Sequence, residues 1–83
     1  MDLNQLRKDA IDLANNATAL EDEDKPEEAI RCYVKTVNIL KRLIEYDTNK
    51  YNLETYNKRC ASYEERIDYL KKLVDQNSRK IVA

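Results

Sequence analysis

Leu3, Leu6, Ala10, Leu13, Ala17 and Leu20 recur at alternating steps of three and four, a series that only an α-helix gathers on one face. The spacing predicts a first helix from about residue 3 to about residue 21, roughly 28 Å long at 1.5 Å per residue. Asp2 stands at its N-cap position, and Gln5, three residues on, is where a capping box closes. Ala14 and Ala17 on or beside the stripe leave room for another helix to approach closely. The acidic run Glu21-Asp22-Glu23-Asp24 then interrupts the pattern. It reads as a solvated turn whose last member, Asp24, caps a second helix, with Pro26 in the first turn and Glu27 at the capping-box position.

The second helix is expected over about residues 26–46 with two apolar stripes. Ile30, Tyr33, Val37, Leu40 and Ile44 form the main one, and Ile39, Leu43 and Tyr46 lie about a third of a turn away. A helix with two such stripes touches two neighbours, or one neighbour and a ligand. Asp47-Thr48-Asn49 is a short connection rich in capping residues, so the next helix runs back antiparallel. That third helix carries Leu53, Tyr56, Cys60, Tyr63, Ile67, Leu70 and Val74 and is expected to end near Gln76, where Lys71 and Lys72 suit its negative end. Residues 77–83 lose the period and read as a fraying tail or the start of a linker, which leaves 1–76 as the domain. The predicted fold is all-α, an up-down-up antiparallel three-helix bundle. Leu6, Leu13, Ile30, Tyr33, Val37, Tyr63, Ile67 and Leu70 are its expected core.

Composition removes whole classes of function. Eighty-three residues, 42% of them apolar, fill one thin core. The chain has no Gly, so loops that cradle phosphate through close backbone approach are excluded. With no His, it lacks both the usual near-neutral base and the imidazole metal ligand. The acidic run has neither the ligand spacing nor the turn glycine of an EF-hand. No cofactor, metal or catalytic residue is expected, and the chain is not read as an enzyme. Fifteen basic residues against sixteen acidic ones give a net charge of −1, without the basic excess of a nucleic-acid binder or an anionic-membrane binder. No run approaches the roughly 18 apolar residues of a membrane span, and residues 1–5 lack a signal-peptide layout. Cys32 and Cys60 sit inside helical patterns and read as small buried thiols of a reducing compartment.

Two segments carry a resemblance. Glu27-Glu28-Ala29-Ile30-Arg31-Cys32-Tyr33 on the second helix, and Lys58 to Lys71 with its Tyr63-x-x-Arg66-x-x-x-Leu70 spacing on the third, resemble the MIT (microtubule-interacting and trafficking) family. Lys8-Asp9-Ala10-Ile11-Asp12-Leu13-Ala14 also fits the first helix of such domains, so the likeness covers about residues 3–76. The resemblance implies a non-catalytic adaptor that binds short C-terminal motifs of ESCRT-III subunits. Some of these motifs dock as an amphipathic helix between helices 2 and 3, others in extended form between helices 1 and 3. It also implies a place in a larger protein, typically at the N-terminus of an AAA ATPase, and Met1 directly before the first helix agrees with that expectation. The expected localisation is cytoplasmic, with recruitment to endosomal or other ESCRT-decorated membranes. Some relatives associate with microtubules instead.

The expected partner site lies between helices 2 and 3. Ile39, Leu43 and Tyr46 form one wall, and Asn57, Ala61, Glu64 and Asp68, at steps of four and three, form the other. Leu43 is accordingly expected to tolerate replacement by Asp without unfolding. Glu64 stands where ATPase-type members of the family carry leucine, which invites a basic peptide residue and keeps the helix 1–helix 3 groove in competition. Arg66 is expected to hold a carboxylate of helix 1 or 2, with Asp12 or Glu28 as candidates. A tetratricopeptide-like repeat would need recurrence at about 34 residues, but that offset places Glu28-Ala29 on Ser62-Tyr63. A self-associating bundle is the other structural rival, and the short turns favour folding back within one monomeric chain.

Overall fold

A computed structural model describes the backbone of residues 2–82 and the side chains of residues 2–76. It contains three helices, α1 (Leu3–Asp22), α2 (Pro26–Tyr46) and α3 (Lys50–Val82), and no strand among the described residues. The up-down-up bundle is therefore as the periodicity predicts. Asp2 caps α1, its carboxylate accepting from the backbone N–H groups of Asn4 and Gln5. The reciprocal half of the capping box is absent, because the Gln5 amide donates to Asp9 instead.

The first turn corrects the role of Asp24. The Lys25 N–H donates to the Leu20 carbonyl and the Asp24 N–H to the Glu21 carbonyl, the paired bonds of a Schellman closure. That closure needs a left-handed residue, and Asp24 takes it at φ 61° because the chain has no glycine to offer. The N-cap of α2 is Lys25, with no side-chain cap bond. Pro26 starts the helix, and Glu27 and Glu28 face its positive end. At the second turn Asn49 caps α3, its side-chain oxygen accepting from the N–H groups of Tyr51 and Asn52.

Helix α3 continues past Gln76 to Val82, since no Gly or Pro follows to stop it. Lys71 and Lys72 are thus within the helix rather than in its last turn. The side chains of the tail segment 77–83 lie outside the described residues. At about 1.5 Å per residue, the 33 residues of α3 account for the 51 Å long axis of the molecule.

Helix α2 is the middle of the bundle. It buries Ala29, Tyr33, Thr36, Val37, Leu40 and Leu43, while α1 buries only Ala10 and Ala17, and α3 buries Tyr56, Cys60, Ile67 and Leu70. Tyr33, Val37, Ile67 and Leu70 are core residues as expected. Leu6, Ile30 and Tyr63 are half-buried at its margin, and Leu13 is half-buried as well. Leu43 is a correction: its side chain is wholly buried, because α2 lies between both neighbours and its apolar arc is covered from both sides. The Tyr33 and Tyr63 rings stack at 5.6 Å, and Thr36, also buried, donates its hydroxyl to the Cys32 carbonyl. Cys60 is buried and Cys32 half-buried. Burial pushes the Cys60 thiol up, away from reactivity.

Candidate functional site

Asp47, read from sequence only as a turn residue, ties all three helices together at one end of the bundle. One carboxylate oxygen accepts the Asn49 N–H at 3.0 Å. The other accepts the Tyr56 hydroxyl at 2.8 Å, the Asn52 amide at 3.2 Å and the Arg7 guanidinium at 3.2 Å. Arg7 also donates Nε to the Tyr56 oxygen at 2.8 Å. These donors, the Asn49 N–H first and the Tyr56 hydroxyl next, hold the Asp47 carboxyl at about 2, against an ordinary value of 3.8. A buried carboxylate is tolerated here because every oxygen has partners.

Above this hub α1 and α3 stand apart. No Cα of α1 comes within 8 Å of a Cα of α3 among the described residues. Between them lies a hollow of about 230 Å³, below the roughly 300–1,000 Å³ of small-molecule sites and suited to one or two peptide side chains. Buried Leu43 of α2 lies beneath it, α1 gives Ala10 and Ile11, and α3 gives Tyr56, Arg59 and Tyr63. Ile11 is 56% exposed on its rim. At the far end Arg66 donates to Glu21, closing the seam a second time. The two clasps are fourteen residues apart on α1, about 21 Å.

These features fit one domain type. A family model for the MIT (microtubule interacting and transport) domain matches residues 8–72. The chain belongs to the MIT family. The match runs through all three helices and takes in both markers of α2 and α3. No curated protein matches the sequence. MIT domains are protein-interaction modules that bind peptide motifs of partner proteins. No cluster of His, Cys, Asp and Glu suited to a metal occurs among the described residues. Among the described residues no helix is long and apolar enough to cross a membrane.

The residues expected to form the site of this MIT domain do not share one groove. The α2–α3 hollow is lined by Val34, Val37, Asn38 and Lys41 on α2 and by Glu64, Ile67, Asp68 and Lys71 on α3. Glu64 and Asp68 are there, while Asn57 and Ala61 are exposed on the same helix without lining it. Ile39, Leu43 and Tyr46 are not. Ile39 lies about 160° round α2 from Lys41 and is half-buried, Leu43 is core, and Tyr46 is exposed. Sequence reasoning missed Val34, Asn38 and Lys41, although Val34 stands four residues after Ile30 and three before Val37 and so borders the main stripe. It also missed the Asp47 hub, though a tyrosine on a core stripe, Tyr56, signals that its hydroxyl needs a buried partner.

Arg66 does hold a carboxylate of α1, but that of Glu21 rather than Asp12 or Glu28. Its guanidinium also lies 4.8 Å from the Tyr69 ring centre. The choice of partner follows from position: Glu21 is in the last turn of α1, level with the part of α3 that carries Arg66, and the Schellman closure fixes that turn.

Proposed function

We propose that this MIT domain is the adaptor of a larger protein, taking short C-terminal motifs of ESCRT-III-like subunits and thereby bringing its parent, an AAA ATPase in the first instance, to membrane-remodelling filaments. The docking face is the α1–α3 groove. The single observation behind this choice is the open apolar hollow over Leu43, flanked by exposed Ile11 and half-buried Tyr63. The α2–α3 hollow offers instead a mixed lining in which Lys41 already approaches Glu64 at 3.9 Å. A peptide segment in a groove of this size buries less than a standard interface. The expected dissociation constant is about 10 μM, near −7 kcal/mol.

Titrating fluorescent ESCRT-III tail peptides into the domain tests the reading. Ile11→Asp, at an exposed rim position, should abolish binding with the helical circular dichroism unchanged. Val34→Asp, at a position 39% exposed beside the other hollow, should leave it intact. The opposite pattern would move the ligand to the α2–α3 groove, where Glu64 and Asp68 would meet basic peptide residues. Failure of every tail to bind would remove the ESCRT-III assignment.

A further inference from the structure

The α1–α3 hollow is cationic in a chain whose net charge is −1. Arg7 and Arg59 line it, and no Asp or Glu does. The α2–α3 hollow, by contrast, is balanced, with Lys41 and Lys71 against Glu64 and Asp68. The two cations of the α1–α3 hollow differ in what is left of their charge. Arg7 is committed to Asp47 and Tyr56 behind the groove. Arg59 is exposed and has no ion pair among the described residues. Its helical neighbours at three and four residues, Thr55, Tyr56, Ser62 and Tyr63, are all uncharged, so no intrahelical partner competes for it.

We propose that Arg59 makes the α1–α3 groove selective for a partner peptide that carries an acidic side chain, Asp or Glu, two residues from the apolar side chain seated over Leu43. The inference rests on the α1–α3 reading above and names the chemistry of its ligand. The spacing is that of an apolar side chain held level with Tyr63, which lines the hollow together with Leu43. Arg59 and Tyr63 are four residues apart on α3, a rise of about 6 Å, and side chains on one face of an extended peptide repeat at about 6.6 Å, two residues apart. A guanidinium presents a planar fork that pairs bidentately with a carboxylate, binds a neutral amide less strongly and repels an ammonium group. At a solvent-exposed rim such a pair sets orientation and encounter rate more than total affinity.

The test uses an ESCRT-III tail peptide that binds in the experiment above, acetylated and amidated so that its termini carry no charge. Glu, Gln or Lys is placed two residues from the anchoring leucine. The Glu peptide should bind about fivefold more tightly than the Lys peptide at low salt, and the gap should close at high salt. Arg59→Glu should invert the preference, and Arg59→Lys should keep its direction. If Arg59→Glu leaves the Glu-over-Lys preference as it was while Ile11→Asp still abolishes binding, the groove stands and Arg59 selectivity is overturned. If Ile11→Asp itself has no effect, the groove reading fails, and the selectivity with it.

Discussion

Against α2, helix α3 packs closely and buries Cys60, Ile67 and Leu70; against α1 it is held by side chains that reach across a gap, with no Cα pair within 8 Å among the described residues. Residue size draws α1 towards α2 rather than α3. The fully buried residues of α1 are alanines, Ala10 and Ala17, and the most buried position near the start of α2 is Ala29, so these two backbones can lie close together. Long polar side chains bridge the two ends of the α1–α3 seam instead. Arg7 meets Tyr56 and Asp47 at one end, and Glu21 meets Arg66 at the other. Such props hold two helices at a fixed distance without closing the space between them. An open groove in a small bundle is thus specified by where the large polar residues are, as much as by where the apolar ones are.

The strongest way to break this comparison is to put the same charge on its two sides. Leu43→Asp places an unpaired carboxylate at a fully buried position and should cost more than about 4 kcal/mol, leaving no folded domain by circular dichroism. Ile11→Asp, one groove wall away and exposed, should change the urea midpoint by less than the equivalent of about 0.5 kcal/mol. Similar losses for both would mean that the α1–α3 groove is closed in solution.

Tyr56→Phe sharpens the account of the clasp. It removes a hydroxyl that donates to Asp47 and accepts from Arg7 while keeping the ring. A loss of about 1–3 kcal/mol in urea unfolding is expected, because a buried carboxylate then lacks a donor. The pH profile should report the same hub. The folded carboxyl of Asp47, at about 2, is depressed below its ordinary 3.8. Its contribution is therefore fully present above about pH 4 and lost as pH falls through about 2. Asp47→Asn should flatten that part of the curve, and an unchanged acid limb would show that other carboxylates set it.

A modest gain is expected at the turn between α1 and α2. Asp24→Gly relieves a left-handed residue and should raise stability by about 0.5–1 kcal/mol, seen as a higher urea midpoint with peptide binding unchanged. A destabilised Asp24→Gly variant would mean that the Asp24 side chain contributes more to the turn than its backbone strain costs.

The chain alone carried much of this protein. Alternating steps of three and four placed all three helices, Asp2 its cap and Pro26 the start of α2, and the markers around Tyr33, Tyr63 and Arg66 led to the family to which the chain belongs. Apolar period and capping chemistry are local properties, readable a few residues at a time. Only the tertiary structure decided which arc of α2 is covered, since Leu43 and Ile39 carry the same local signal whether a neighbour or a solvent-filled groove lies beyond them. It also decided the partners of Asp47, whose ligands Asn52, Tyr56 and Arg7 stand 5, 9 and 40 residues away. The open seam has the same origin: a gap between α1 and α3 exists only once α2 has fixed where both of them stand.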